Sequence, residues 1–241
     1  MDWRGEGILL SARPHGEAAA IIEVFTEGLG RHAGIVPGGA GRRMAGVLQP
    51  GAQIALAWRA RTDAQLGTFT VEPLRPRAPA LLHDARALAA LSSACALAQR
   101  ALPERAAHPG LYRATLVLLD ALAELPDWPI LYLHWELRLL ADLGFALDLD
   151  TCAVSGAAEG LAYVSPRTGR AVTAAAAGRW ADRLMPLPAC LTRAGGPVNG
   201  ASLAQGMALT GHFLTRALVP DSTARPLPEA RARLAAALAR G

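Results

Sequence analysis

The sequence contains no lysine. All 24 of its basic side chains are arginine, and that single absence removes whole classes of chemistry. A Walker A lysine, a Schiff-base lysine and the ATP-anchoring lysine of kinases all require an ammonium group that the chain does not carry. What is left are planar guanidinium groups, which grip phosphate or carboxylate through two parallel hydrogen bonds. An arginine-only set also arises from genome composition alone. Cysteine is nearly as scarce. Cys95, Cys152 and Cys190 are too scattered for a disulfide framework, and no two of them have the spacing of a zinc-ligand pair. The chain also lacks an uncharged apolar run of the ~18 residues that a membrane span needs. Its charged opening, Met1 to Glu6, has no apolar stretch of the signal-peptide kind. These absences predict a soluble, cytoplasmic protein with no membrane contact.

What is present suits a packed fold. Hydrophobic residues are 52% and charged residues 18% of 241, which excludes disorder and allows one large domain or two small ones. The first 75 residues hold five short β-branched or aromatic runs: 5–11, 18–26, 31–37, 52–61 and 66–74. Each is bounded by glycine or proline, and a short helical stretch near Arg42–Leu48 follows the third. Strands at roughly ten-residue spacing predict a small barrel of the OB type. Pro73, Pro76 and Pro79 then mark a boundary. Alanine- and leucine-rich stretches of helical period follow at 84–102, 111–125 and 130–143, and again at about 198–218 and 227–240. Asp127 is the expected N-cap of the third helix and Gly144 its closing glycine. Residues 148–178, rich in Gly, Ser, Pro and Thr, read as a loop-rich insert. The expected architecture is α+β: a five-stranded OB-fold β-barrel over 1–78, then an α-helical domain over 79–241 that carries the insert.

Charge is distributed unevenly. No acid occurs between Glu27 and Asp63, where Arg31, His32, Arg42, Arg43, Arg59 and Arg61 fall. Arg42 and Arg43 adjoin the loop Pro37-Gly38-Gly39-Ala40-Gly41, and Arg59 and Arg61 share strand parity. Glycines admit a phosphate close to the backbone and arginines neutralise it, so these six residues are the candidate nucleic-acid-binding set. A solvated edge-strand face is the plain alternative. From Leu116 to Asp150 the sign reverses, and from Gly160 onward there are ten arginines against Asp182, Asp221 and Glu229. Catalytic patterns are missing. Gly28-Leu29-Gly30 with Gly34 misses the dinucleotide spacing, His134 and Glu136 lie on different helix faces, and no nucleophile elbow occurs. No enzyme activity and no cofactor are expected. Trp58 reads as barrel core rather than as a base-stacking ring.

Taken together, Trp3-Arg4-Gly5-Glu6-Gly7-Ile8, Gly30-Arg31-His32 with Pro37-Gly38-Gly39, and Leu48-Gln49-Pro50-Gly51 resemble the amino-terminal domain of the RecO recombination-mediator family. The stretches 139–144 with 147–149, Cys152 and Gly156, and Tyr163 to Arg170, resemble that family's central signature. The resemblance implies an OB-fold followed by helices and a nucleoid-associated protein. It implies binding of single- and double-stranded DNA, strand annealing, and work with RecR and single-strand-binding protein so that RecA can load. It also implies that the helical domain takes the acidic carboxy-terminal tail of single-strand-binding protein. Arg113 and Arg138, with Trp135 nearby, are the candidates to receive it; pairing of both arginines with neighbouring acids is the alternative. Many members hold a structural zinc on four cysteines. The matching positions here are Cys152, Ser155, Thr173 and Ala176, and one thiolate cannot hold tetrahedral zinc. The competing reading of the whole chain is a protein-interaction scaffold whose barrel binds no DNA.

Overall fold

The computed structural model describes residues 1–62, 65–219 and 226–240; Asp63, Asp221 and Arg225 lie outside them. The five expected strands are all present: β1 (Asp2–His15), β2 (Ala19–Thr26), β3 (Gly30–Val36), β4 (Gln53–Arg59) and β5 (Thr68–Arg75). They close into a barrel in the order β1-β2-β3-β5-β4, with β3 and β5 parallel and the other neighbours antiparallel. The short helix α1 (Arg42–Ala45) follows β3. Period-two alternation is clean in β4, where Ile54, Leu56 and Trp58 point inward while Ala55, Ala57 and Arg59 point outward. The inward set joins Leu9, Ile22, Val24, Val36 and Phe69 in one core. Trp58 is 2% exposed, and its indole N–H donates to the Leu66 carbonyl at 3.1 Å, so it is a core residue as expected.

Two helices complete the first compact unit, which comprises Met1–Leu125 with Pro228–Arg231. Asp84 caps α2 (Ala85–Ala101) by accepting from the N–H groups of Arg86 and Ala87. Its buried face is largely alanine (Ala87, Ala90, Ala94, Ala98), which lets it lie close along β1. There the Gln99 amide donates to Ser11 Oγ at 3.0 Å and to Glu23 Oε1 at 2.7 Å. The next helix, α3 (Pro109–Glu124), seats Tyr112 edge-on against Phe25 of β2, with ring centroids 5.4 Å apart. The first compact unit therefore extends to Leu125, because both helices pack on the barrel.

The second unit comprises Pro126–Leu227 and Ala232–Gly241. It contains α4 (Trp128–Asp142) and a small three-stranded sheet of β6 (Leu161–Val164), β7 (Ala171–Thr173) and β8 (Met185–Pro186), with α5 (Ala174–Ala177) after β7. The long helix α6 (Gly200–Leu218) follows, and a last helix, α7 (Glu229–Ala239), begins in the first unit and ends in the second. Glu136 of α4 is fully buried and accepts a hydrogen bond from the Thr210 hydroxyl of α6, so this carboxylate fastens two helices. Asp127 occupies the N-cap position of α4, but its side chain makes no capping bond. Gly144 has φ +84° just past the helix end, as expected of a closing glycine. The segment read as loop holds β6, β7 and α5, strands and a helix of three to four residues, too short to show a period.

Candidate nucleic-acid interface

Strand register decides which cations can act together. On the outward face of β1, β4 and β5, Asp2 lies opposite Arg59, which lies opposite Thr68; one row on come Arg4, Ala57 and Thr70. Gly5, Ala55, Ala57, Thr68 and Thr70 are small, so the surface between the longer side chains sinks into a groove of about 610 Å³. Arg4 and Arg59 rise from it, and Arg61 follows just beyond β4. None of the three is ion-paired among the described residues. Glu72 lines the groove too, and Glu6 lies on the same face bonded to Gln53 at 2.8 Å, so the cationic part is the Asp2–Arg4 end. Exposed guanidinium groups over a floor of small residues can neutralise phosphates while leaving room for a sugar-phosphate chain.

The six expected DNA-binding residues do not form one patch. Arg42 and Arg43 are exposed on α1. Their glycine loop is bonded to the β1–β2 hairpin through Ala40 N–H to the Ala18 carbonyl at 3.1 Å. They thus lie toward the His15 end of β1, whereas Arg59 and Arg61 lie toward its Asp2 end. Arg31 is taken up structurally. It pairs with Glu23 across the β2–β3 ladder and donates from Nε to the Leu102 carbonyl at 2.8 Å. His32, next in a strand, must point the opposite way, and it sits inside the barrel at 4% exposure. Arg4 was missed by sequence reasoning, because its nearness to Arg59 depends on a β1–β4 register that no local pattern reveals.

His32 belongs to an aromatic cage. Its ring lies 5.3 Å from Trp3, 4.8 Å from Trp58 and 6.0 Å from Phe69, each edge to face. Neither ring nitrogen has a hydrogen-bond partner. Burial, and after it the charge of Arg105, hold the imidazole below its ordinary pKa of 6.5, against the opposing pull of Glu104. The unfolded chain therefore takes up a proton at His32 more readily than the folded one. Stability from this residue is complete above about pH 6.5 and is lost as pH falls below it. His32→Phe is expected to reduce the loss of urea stability between about pH 7 and pH 5; an unchanged acid slope would place the titration elsewhere.

The candidates for a peptide tail are also placed. Arg113 of α3 pairs with Glu27 at 2.7 Å, and Arg138 of α4 pairs with Asp142 at 2.7 Å, one helical turn on. The arginines belong to different compact units. Trp135 is 2% exposed and packs on Tyr132, so it is core and offers no surface to a peptide. In the insert, Cys152 Sγ accepts the N–H groups of Thr173 at 3.4 Å and Ser155 at 3.5 Å. A hydrogen bond from the Ser155 side chain, and after it these backbone bonds, pull the thiol pKa down to about 6. No cluster of three or more His, Cys, Asp or Glu suited to a metal occurs among the described residues. The donor set around Cys152 does not fit zinc, and hydrogen bonds tie β7 to the Cys152 turn.

The family model for the amino-terminal domain of Recombination protein O matches residues 1–77, and that for its carboxy-terminal domain matches 82–225. The chain belongs to the RecO family. It is 58% identical over 240 residues to a DNA repair protein RecO of Cereibacter sphaeroides, covering all of both chains. Similar proteins of the same name include one from Dinoroseobacter shibae, 55% identical over 100% of this chain and 99% of the relative. Another, from Ruegeria, is 53% identical over the same shares. Membership of the family gives the barrel its OB-fold assignment and the chain a role in recombination repair. Among the described residues no helix is long and apolar enough to cross a membrane.

Proposed function

We propose that this chain is a recombination mediator without catalytic turnover. In this reading it binds and anneals single-stranded DNA, binds duplex DNA, and acts with RecR to help load RecA onto strands coated by single-strand-binding protein. The observation that carries the DNA reading is the groove over β1, β4 and β5, with Arg4 and Arg59, neither ion-paired among the described residues, above a floor of small residues. Arg42 and Arg43 supply a second contact toward the hairpin end of β1, and Arg31 and His32 support the barrel rather than the ligand. Phosphate contact of this kind positions a strand without reading its sequence. For the tail of single-strand-binding protein, Arg113 and Arg138 stay the proposed carboxylate partners, since each side chain is at least half-exposed and its ion pair can exchange.

Mobility shifts with single- and double-stranded oligonucleotides at two salt concentrations test the reading. Retention of both that weakens steeply with salt is expected. Absence of binding at low salt would favour a scaffold that meets only protein partners.

A further inference from the structure

Of the five tryptophans, all among the described residues, Trp180 alone is exposed, at 48%. It lies in a 3-10 turn, Gly178–Arg183, of the second unit. Its neighbours Ala181 and Leu184 turn inward and pack on the small core of Cys152, Val172 and Ala177. They anchor the turn, so the indole is held outward by a fixed base and is not needed for packing. Two guanidinium groups stack on it: Arg179 at 5.0 Å and Arg183 at 4.9 Å from the ring centroid. Positions three apart in a 3-10 turn share a face, which brings Arg183 over Trp180. Neither arginine is ion-paired among the described residues, not even with Asp182 between them. A cation stacked on an exposed ring gains less than burial of the indole would, so stability alone does not account for the exposed ring.

We propose that Trp180, Arg179 and Arg183 form a stacking platform for single-stranded DNA, separate from the barrel groove. One base takes an indole face from a guanidinium group, and the displaced arginine and its companion neutralise the flanking phosphates. An acidic peptide would use the two cations but not the π-face, which is why a base with its phosphate suits the arrangement better. The inference takes its ligand class from the DNA reading above, but its site and its test stand apart from the groove.

The probe is a thymidine oligonucleotide titrated into the full chain, read by tryptophan fluorescence and by anisotropy. Stacking is expected to quench the emission of Trp180, and the quench should vanish in Trp180→Leu with affinity falling about fivefold or more. Trp180→Tyr should restore much of that affinity because it keeps an aromatic face. An oligomer of the same length with abasic sites in place of bases should bind wild type and Trp180→Leu alike. Equal oligonucleotide affinity in wild type and Trp180→Leu would overturn the platform, as would displacement by a glutamate-rich peptide that is insensitive to Trp180→Leu. Because Arg4→Ala/Arg59→Ala leaves Trp180 untouched, quenching that persists in that variant while anisotropy weakens separates the two sites.

Discussion

Replacing Gly30 by alanine is expected to destabilise the barrel by about 2–4 kcal/mol. Two effects combine at this position. Its φ of +68° lies in the left-handed region, where any Cβ costs on the order of 1 kcal/mol. A Cβ there would also stand 1.8 Å from the Ala106 carbonyl oxygen and 2.5 Å from its carbon. Those are backbone atoms, so no rotamer change relieves the clash. The segment after α2 would have to leave β3, breaking the Arg105 N–H bond to the Arg31 carbonyl at 2.8 Å. Gly38 is the control. Its φ is +71°, but nothing lies within 4 Å of the place a methyl would take, so Gly38→Ala should cost only the conformational part, about 1 kcal/mol. Urea midpoints of the two variants check the difference, and equal midpoints would mean that the 103–107 segment yields easily.

Arg77→Ala is the second large effect, at about 2–4 kcal/mol. The Arg77 side chain is 4% exposed and reaches α3, β4 and the loop before β4. Its Nε donates to Asp120 of α3 at 2.7 Å, and its terminal nitrogens donate to the Gly51 carbonyl at 3.0 Å and to Gln53 Oε1 at 3.2 Å. Removing it leaves the buried Gly51 carbonyl without this donor, takes one of two guanidinium partners from Asp120, and empties a buried site. Lysine does not rescue the site, because three acceptors in different directions need the planar fork. Arg75 meets the same Asp120 from a half-exposed position, at 48% exposure, and Arg75→Ala should cost less than about 1 kcal/mol. The midpoint of urea unfolding should fall with an unchanged slope for Arg77→Ala and barely move for Arg75→Ala. Equal shifts would contradict the role given to burial.

Much of the fold is legible in the residues themselves, for reasons that these variants illustrate. Glycine and proline punctuate all five barrel strands, and Gly30 and Gly51 mark turns that only glycine fills, Gly51 at φ +83° against Leu91 of α2. Strand parity also places Trp58 in the core. The same parity separates His32 from Arg31, so grouping both on one DNA face overlooked a rule available from the sequence. What a local pattern cannot supply is register. Glu23 meets Arg31 only through the β2–β3 ladder, and Arg4 nears Arg59 only through β1–β4. An acid-free stretch of sequence is therefore not an acid-free surface. The three- and four-residue strands of the insert escape notice because two or three side chains define no period.

The central claim is that the Asp2–Arg4 end of the barrel groove holds the phosphates of a single strand. It is tested most directly by anisotropy titration of a thymidine oligonucleotide across a range of salt, with wild type and Arg4→Ala/Arg59→Ala confirmed as folded. Each lost phosphate contact removes about 0.7 from the slope of log affinity against log salt, so the double variant should lose about 1.4 and bind more weakly at every salt concentration. An unchanged affinity and slope would contradict the account.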